Sequence, residues 1–218
     1  MSDTIIAVYG ASGFGREIMP LVKAQYHAMF SDVRFLFVDD SEDADFLNGY
    51  PILSYPEFLD LDATNKFAVL AIANSAVREK LIEKLESAGV GVLSVTANNV
   101  VILDEVDIGE GAILCHFTQL TSNIKIGKQF HANIYSYVAH DCVIGDYVTF
   151  APGVRCNGNI HIEDHAYIGT GAIIKQGTPS KPLVIGKGAV VGMGAVVTKD
   201  VPPGVTVVGN PAKPLVKP

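Results

Sequence analysis

Residues 126–150 read IGKQFHANIYSYVAHDCVIGDYVTF, and every sixth residue, Ile126, Ala132, Val138, Ile144 and Phe150, is apolar. The period reaches well beyond this stretch. Hexads run without a gap from Ile102 to Pro179, thirteen in a row, and after Ser180–Val184 three more begin at Ile185, Val191 and Val197. All sixteen first positions are apolar, thirteen of them Ile, Leu or Val, and the fifth positions, from Val106 to Val201, are small or apolar. A period of six matches neither the helical 3.6 nor the alternation of a long strand. It suits a short strand and a corner, where the first side chain fills the interior and a Gly-tolerant turn redirects the chain. Three six-residue sides make a triangular coil of 18 residues, stacked on the next at about 4.8 Å. Sixteen hexads give a little over five coils.

The repeat places a boundary near residue 100, so two domains are expected, 1–99 and 100–218. The charge divides there too. Residues 1–99 hold 14 Asp and Glu against 7 Lys and Arg, whereas 100–218 hold 9 of each, so the whole net charge of −7 belongs to the first part. A nucleic-acid-binding face would need clustered Lys and Arg and is not expected. No run approaches the roughly 20 apolar residues of a membrane-spanning helix, and the N-terminus lacks a basic segment leading an apolar one; a soluble cytoplasmic protein is expected. Cys115, Cys142 and Cys156 form no C-x-x-C pair and are expected as free core thiols.

Upstream, Thr4–Tyr9 (TIIAVY) reads as a buried parallel strand running into Gly10-Ala-Ser-Gly-Phe-Gly15 and a helix from Arg16 to about Ala28. A second strand, Val33–Val38, ends in Asp39-Asp40; a third, Phe67–Ala73, ends in Asn74-Ser75 before a helix over Val77–Ala88. This Rossmann-like βαβ pattern aligns strand ends on one edge, where open α/β sheets bind ligands. Gly10, Gly13 and Gly15 let N–H groups and a helix N-terminus approach a phosphate, and the acidic pair can accept hydrogen bonds from ribose hydroxyls or a base N–H. The spacing G-x-x-G-x-G is not the dinucleotide fingerprint, which argues against NAD.

The hexads resemble those of the left-handed β-helix acyltransferases, and the tail VPPGVTVVGNPAKPL (Val201–Leu215) resembles the segment that closes their helix. Joined to the N-terminal βαβ unit, the pattern is similar to the PglD-like and NeuD-like sugar acetyltransferases, above all the bacillosamine-pathway enzymes that acetylate the 4-amino group of a UDP-linked 4-amino-4,6-dideoxy sugar. The resemblance implies a homotrimer with acetyl-CoA and the UDP-sugar in the cleft between neighbours. It implies a nucleotide-sugar site at Gly10, Ser12, Gly13, Asp39 and Asp40, with Asn74 and Arg78 after the third strand. Phe14 departs from the His common in relatives with a GASGHG turn.

Acetyl transfer to an amine needs a base and an oxyanion donor. His140-Asp141 falls at positions three and four of the hexad Val138–Val143, an outward corner, and resembles the His-Glu pair of the bacillosamine-type enzymes, where His is the base and the carboxylate orients it. Asp is a methylene shorter, so either it reaches the imidazole by altered geometry or another group takes that task. One coil on, Gly158 follows His140 and is expected to leave room beside the imidazole for a thioester; Asp141 stacks between Asn123 and Asn159. Family matching gives Asn133 and Gly158 to the acetyl-CoA site, with the Gly158 N–H as oxyanion donor. Thr149 stands where some relatives carry a second His. No metal is expected, because His131, His161 and His165 occupy the sixth, sixth and fourth hexad slots and do not converge as a catalytic zinc requires. The same architecture would also serve an O-acetyltransferase of a sialic-acid-like sugar or a non-catalytic nucleotide-sugar-binding protein.

Overall fold

The computed structural model describes residues 3–30 and 32–215 and divides into two units, Met1–Val95 and Thr96–Pro218.

The first unit is an α/β domain with strands β1 (Thr4–Tyr9), β2 (Val33–Val38), β3 (Phe46–Leu47), β4 (Tyr50–Leu53), β5 (Asn65–Leu70) and β6 (Gly91–Val92), and helices α1 (Gly13–Tyr26), α2 (Tyr55–Asp60) and α3 (Ser75–Ser87). The sheet order is β3-β4-β2-β1-β5-β6, with β1 parallel to both β2 and β5. All six residues of β1 are buried, as expected of a central strand covered on both faces. Helix α1 turns Ile18, Met19, Val22 and Tyr26 inward, the spacing of one helical face. The third long strand ends at Leu70 rather than Ala73. The Ala71 N–H still donates to the Tyr9 carbonyl at 2.9 Å, after which the chain leaves the ladder close to Gly10, the Ala71 carbonyl oxygen lying 3.0 Å from where a Gly10 Cβ would stand.

The second unit is a triangular prism of parallel strands, the left-handed β-helix architecture. Its first face carries Ile113–Leu114, His131–Ala132, Thr149–Phe150, Tyr167–Ile168 and Val190–Val191. The second carries Gln119–Leu120, Tyr137–Val138, Arg155–Cys156, Ile173–Ile174 and Val196–Val197; the third carries Ile124–Ile126, Val143–Ile144, Ile160–Ile162 and Leu183–Ile185. Register advances by 18 residues per rung, as in Tyr137↔Arg155 and Val138↔Cys156. The hexad first positions from Leu114 onward are all buried, at 5% exposure or less. Ile102, in the first coil, is 42% exposed.

The corners are left-handed. Glu105, Asn123, Asp141 and Asn159 form one column of positive φ, between 55° and 59°, where the second face turns into the third. Phe117 and Tyr135 lead a column between the first and second faces, and Gln129, Tyr147 and His165 one between the third and first.

The expected excursion at Ser180–Val184 shifts by two residues. The ladder jumps from Ile160 to Leu183, so the extra residues are 178–182, closed by an antiparallel bridge between Thr178 and Lys181. The buried Leu183, 6% exposed, takes the fifth-slot place that the sequence pattern gives to Thr178.

Candidate active site

His140 stands on the corner between the second and third faces. Its Nδ1 lies 2.7 Å from Asp141 Oδ2, with both side chains close to half exposed. The shorter Asp therefore reaches the imidazole. It does so from the left-handed backbone of the corner, φ 59°, which turns Asp141 back toward its predecessor. Its other oxygen, Oδ1, accepts from Asn123 Nδ2 at 3.3 Å. The hydrogen bond from His140 holds the Asp141 carboxyl below the usual range; slight burial opposes this, and Asn123 and the attraction of the imidazole reinforce it. An ionised carboxylate at Nδ1 requires Nδ1–H, which leaves the Nε2 lone pair as the basic site.

The expected gap at Gly158 is filled by the imidazole. A Cβ on Gly158 would stand 2.5 Å from His140 Cε1 and 2.6 Å from Nε2. Glycine is required here as the seat of the ring, and a thioester would have to lie further out. The Gly158 carbonyl accepts from Gly177 N–H at 3.0 Å. Its own N–H donates to no acceptor among the described residues.

The remaining expected acetyl-CoA residues are not gathered around this corner. Asn133 lies at the corner between the first and second faces, half-buried, its Oδ1 accepting from Ile134 N–H at 2.7 Å. Thr149 is 8% exposed on the first face, in register between His131 and Tyr167, the face opposite the His140 corner. His131 is buried on that same face.

Along the His140 corner, the third-slot column continues through Gly158 and Gln176 to Lys199 by the register of the second face. A cavity of about 550 Å³ opens there, lined by Lys175, Gln176, Gly177, Lys181 and Lys199 among others. Lys199 is three rungs from His140, roughly 14 Å at the inter-strand spacing.

In the first unit, Gly10 adopts φ 104° and precedes α1, and a Cβ on Gly15 would collide with the Gly10 carbonyl oxygen. Ser12 is the N-cap, with no side-chain capping bond, and α1 has no acidic residue in its first turn. Asp39 joins the two strand ends: Oδ2 accepts from Ala11 N–H at 2.8 Å, while Oδ1 accepts from Ser41 N–H and hydroxyl at 3.0 and 2.7 Å. Partial burial pushes the Asp39 carboxyl up, but these hydrogen bonds win and hold it below its usual range. Asp40 accepts from the Tyr9 hydroxyl at 2.8 Å and from Tyr55 N–H at 2.7 Å. Burial and the Asp40 charge keep the Tyr9 phenol protonated far above its ordinary range.

Two of the expected nucleotide-site residues carry framework roles. Asn74 caps α3, its Oδ1 accepting from Ala76 and Val77 N–H, both at 3.1 Å. Arg78 is fully buried, its guanidinium donating to the carbonyls of Ile72 and Ala73 at 2.6 and 3.4 Å. A charged residue on a helix reads as exposed, but here it satisfies the carbonyls of the segment leaving β5.

Among the described residues no cluster of three or more His, Cys, Asp or Glu could hold a metal ion, and no helix is long and apolar enough to cross a membrane. None of the three cysteines is in a disulfide, and all three are buried.

A hexapeptide prism with a carboxylate-oriented histidine on its corner defines a hexapeptide acyltransferase. Residues 5–85 match the PglD N-terminal domain, and residues 123–158 match the bacterial transferase hexapeptide (six repeats). A GDP-perosamine N-acetyltransferase of Escherichia coli O157:H7 is 49% identical over 212 residues, covering 97% of this chain and 96% of that protein. Among solved structures, WeeI from Acinetobacter baumannii AYE is 70% identical with a TM-score of 0.95, covering 97% of this chain and all of that one. The acetyltransferase domain of PglB from Neisseria gonorrhoeae FA1090, in complex with acetyl coenzyme A, is 27% identical with a TM-score of 0.84, covering 98% and 100%. The chain belongs to the PglD-like family of hexapeptide-repeat sugar N-acetyltransferases.

Proposed function

We propose that this chain transfers the acetyl group of acetyl-CoA to the 4-amino group of a UDP-linked 4-amino-4,6-dideoxy-N-acetylhexosamine, with His140 as base. The observation that carries this reading is the 2.7 Å bond between His140 Nδ1 and Asp141, which leaves Nε2 as the proton acceptor above Gly158. The sugar enters as the neutral amine, having given its ammonium proton to solvent, and Nε2 takes one proton from that nitrogen as it adds to the thioester carbonyl. The tetrahedral oxyanion is met by the Gly158 N–H, and collapse expels the CoA thiolate, which the imidazolium protonates. Asp141 fixes the tautomer and supports the transient positive charge. No metal enters these steps.

Residues 1–99 form the nucleotide-sugar domain and 100–218 the acyltransferase domain. Gly13 and the α1 N-terminus meet the diphosphate through N–H groups, a mode suited to a domain whose net charge is negative, and the Ser12 hydroxyl, which makes no capping bond, joins them. The Gly10 N–H is taken by the Val38 carbonyl at 2.8 Å, so Gly10 shapes the turn and does not itself donate. Asp39 holds the Gly loop, and Asp40 offers its carboxylate toward ribose or base. The lysine-lined cavity suits the phosphates of CoA. Asn133 and Thr149, remote from the His140 corner of their own chain, reach the reaction from a neighbouring subunit of a homotrimer. The enzyme works in the cytoplasm.

A second reading replaces UDP by GDP, because the 49% identical relative is named for GDP-perosamine. Assaying CoA release with UDP- and GDP-linked 4-amino sugars side by side distinguishes them. The first reading expects UDP-sugar to be the better substrate by kcat/KM. A sugar hydroxyl acetylated in preference to the amine would instead favour an O-acetyltransferase, and nucleotide-sugar binding without affinity for acetyl-CoA would favour a non-catalytic binding protein.

A further inference from the structure

The peptide joining Asn157 to Gly158 is held from inside the prism and from both neighbouring coils. The buried Cys142 thiol donates to the Asn157 carbonyl oxygen at 3.2 Å, the nearer of its two acceptors, the other being the His140 carbonyl oxygen at 3.6 Å. The Asn157 side chain bridges rungs: its Oδ1 accepts from the Tyr137 hydroxyl at 2.8 Å, and its Nδ2 donates to the Ile174 carbonyl at 2.7 Å. Tyr137 belongs to the coil before Asn157 and Ile174 to the coil after it.

A trans peptide is planar, with its C=O and N–H antiparallel. A carbonyl turned inward to a fully buried thiol therefore aims the Gly158 N–H outward, the side on which the His140 ring rests. We propose that Cys142, Asn157 and Tyr137 are positioning residues that fix the Gly158 amide as the oxyanion donor. The inference deepens the reaction proposed above and rests on it for the role of Gly158. It also accounts for oxyanion stabilisation in a chain with Thr149 where some relatives carry a second histidine. Hydrogen bonding between the two thiols, together with burial, pushes the Cys156 thiol well up, and the same bond, against burial, holds the Cys142 thiol below its ordinary value.

The test compares Cys142→Ala, Cys142→Ser and Tyr137→Phe in the full-length protein. Deleting an oxyanion donor outright costs about 10²–10³ in kcat; loosening one should cost on the order of ten-fold. We expect Cys142→Ala and Tyr137→Phe to lower kcat by about that factor, with KM for both substrates and the shape of the pH profile unchanged. Cys142→Ser, which keeps a donor, should recover most of the loss. Equal losses in Cys142→Ala and Cys142→Ser would reduce Cys142 to packing and overturn the proposal, as would wild-type kcat in Cys142→Ala. The Gly158 amide resonance in ¹H–¹⁵N spectra gives a readout independent of turnover: it should shift in Cys142→Ala and return in Cys142→Ser. An inactive wild type showing that pattern would overturn the reaction but not the positioning, whereas an unmoved resonance would overturn the positioning.

Discussion

The His140 imidazole covers Gly158, with Nε2 only 2.6 Å from where a Gly158 Cβ would stand. A methyl group there must displace the ring. His140 is a surface side chain that can swing aside, so Gly158→Ala should fold with little change in thermal midpoint while kcat falls by about 10²-fold or more, the scale of a misplaced general base. Steady-state kinetics beside a melting curve checks this. Near-normal kcat in Gly158→Ala would show that the seat does not matter.

The Asp141 carboxyl is held below its usual range, first by His140, against slight burial, and then by Asn123. A depressed carboxylate lends its support above the unfolded pKa and loses it as pH falls through the folded one. The His140–Asp141 pair should therefore persist through neutral and mildly acidic pH and dissolve only below the ordinary carboxylate range. Asn123→Ala removes one stabilising hydrogen bond, so the Asp141 titration, followed by the ¹³C shift of its carboxyl, should move up. A midpoint that stays put would remove Asn123 from the site.

Asn74 and Arg78 separate framework from ligand contact. Asn74→Ala should cost about 1 kcal/mol of stability, the usual loss of an N-cap, with KM for the nucleotide sugar unchanged. Arg78→Ala, which empties a fully buried site and removes the donor to the Ile72 and Ala73 carbonyls, should cost more, about 1–3 kcal/mol in all. Ser12→Ala should do the reverse, raising that KM with stability almost intact. Chemical denaturation paired with substrate titration reads both, and a large KM effect in Asn74→Ala would restore it to the nucleotide site.

Lys199 lines a cavity three rungs from His140 on the same corner. Lys199→Ala should raise KM for acetyl-CoA several-fold and weaken its salt dependence, since one cation no longer meets a phosphate. KM for the sugar should not move. An acetyl-CoA KM equal to wild type would place the phosphates elsewhere.

The prism was legible because its period is a property of side chains: one inward residue every six positions leaves a trace that survives changes of residue type. The corner pair His140-Asp141 was legible for the same reason, since adding 18 finds Asn123 and Gly158. The phase of the 178–182 excursion was not, because Thr178 and Leu183 both suit the fifth slot and only the ladder selects Leu183. From the sequence Asp39 reads as a ligand acceptor, whereas it binds Ala11 across 28 residues, a contact that no local pattern carries. The sequence marks Gly158 as a gap, whereas the His140 ring fills it, because sequence does not show which way that ring leans. The Tyr137–Asn157 bridge spans 20 residues, one coil plus two, an offset that appears only once side-chain directions are fixed.

Whether His140 draws the proton from the sugar amine is read by single-turnover acetyl transfer in wild type and His140→Ala, with acetyl-CoA and the UDP-linked 4-amino sugar. The product should carry the acetyl group on its 4-amino nitrogen, and the variant should be slower by about 10²–10⁴-fold while binding both substrates as before. Wild-type transfer no faster than that of His140→Ala would remove His140 from the role of base.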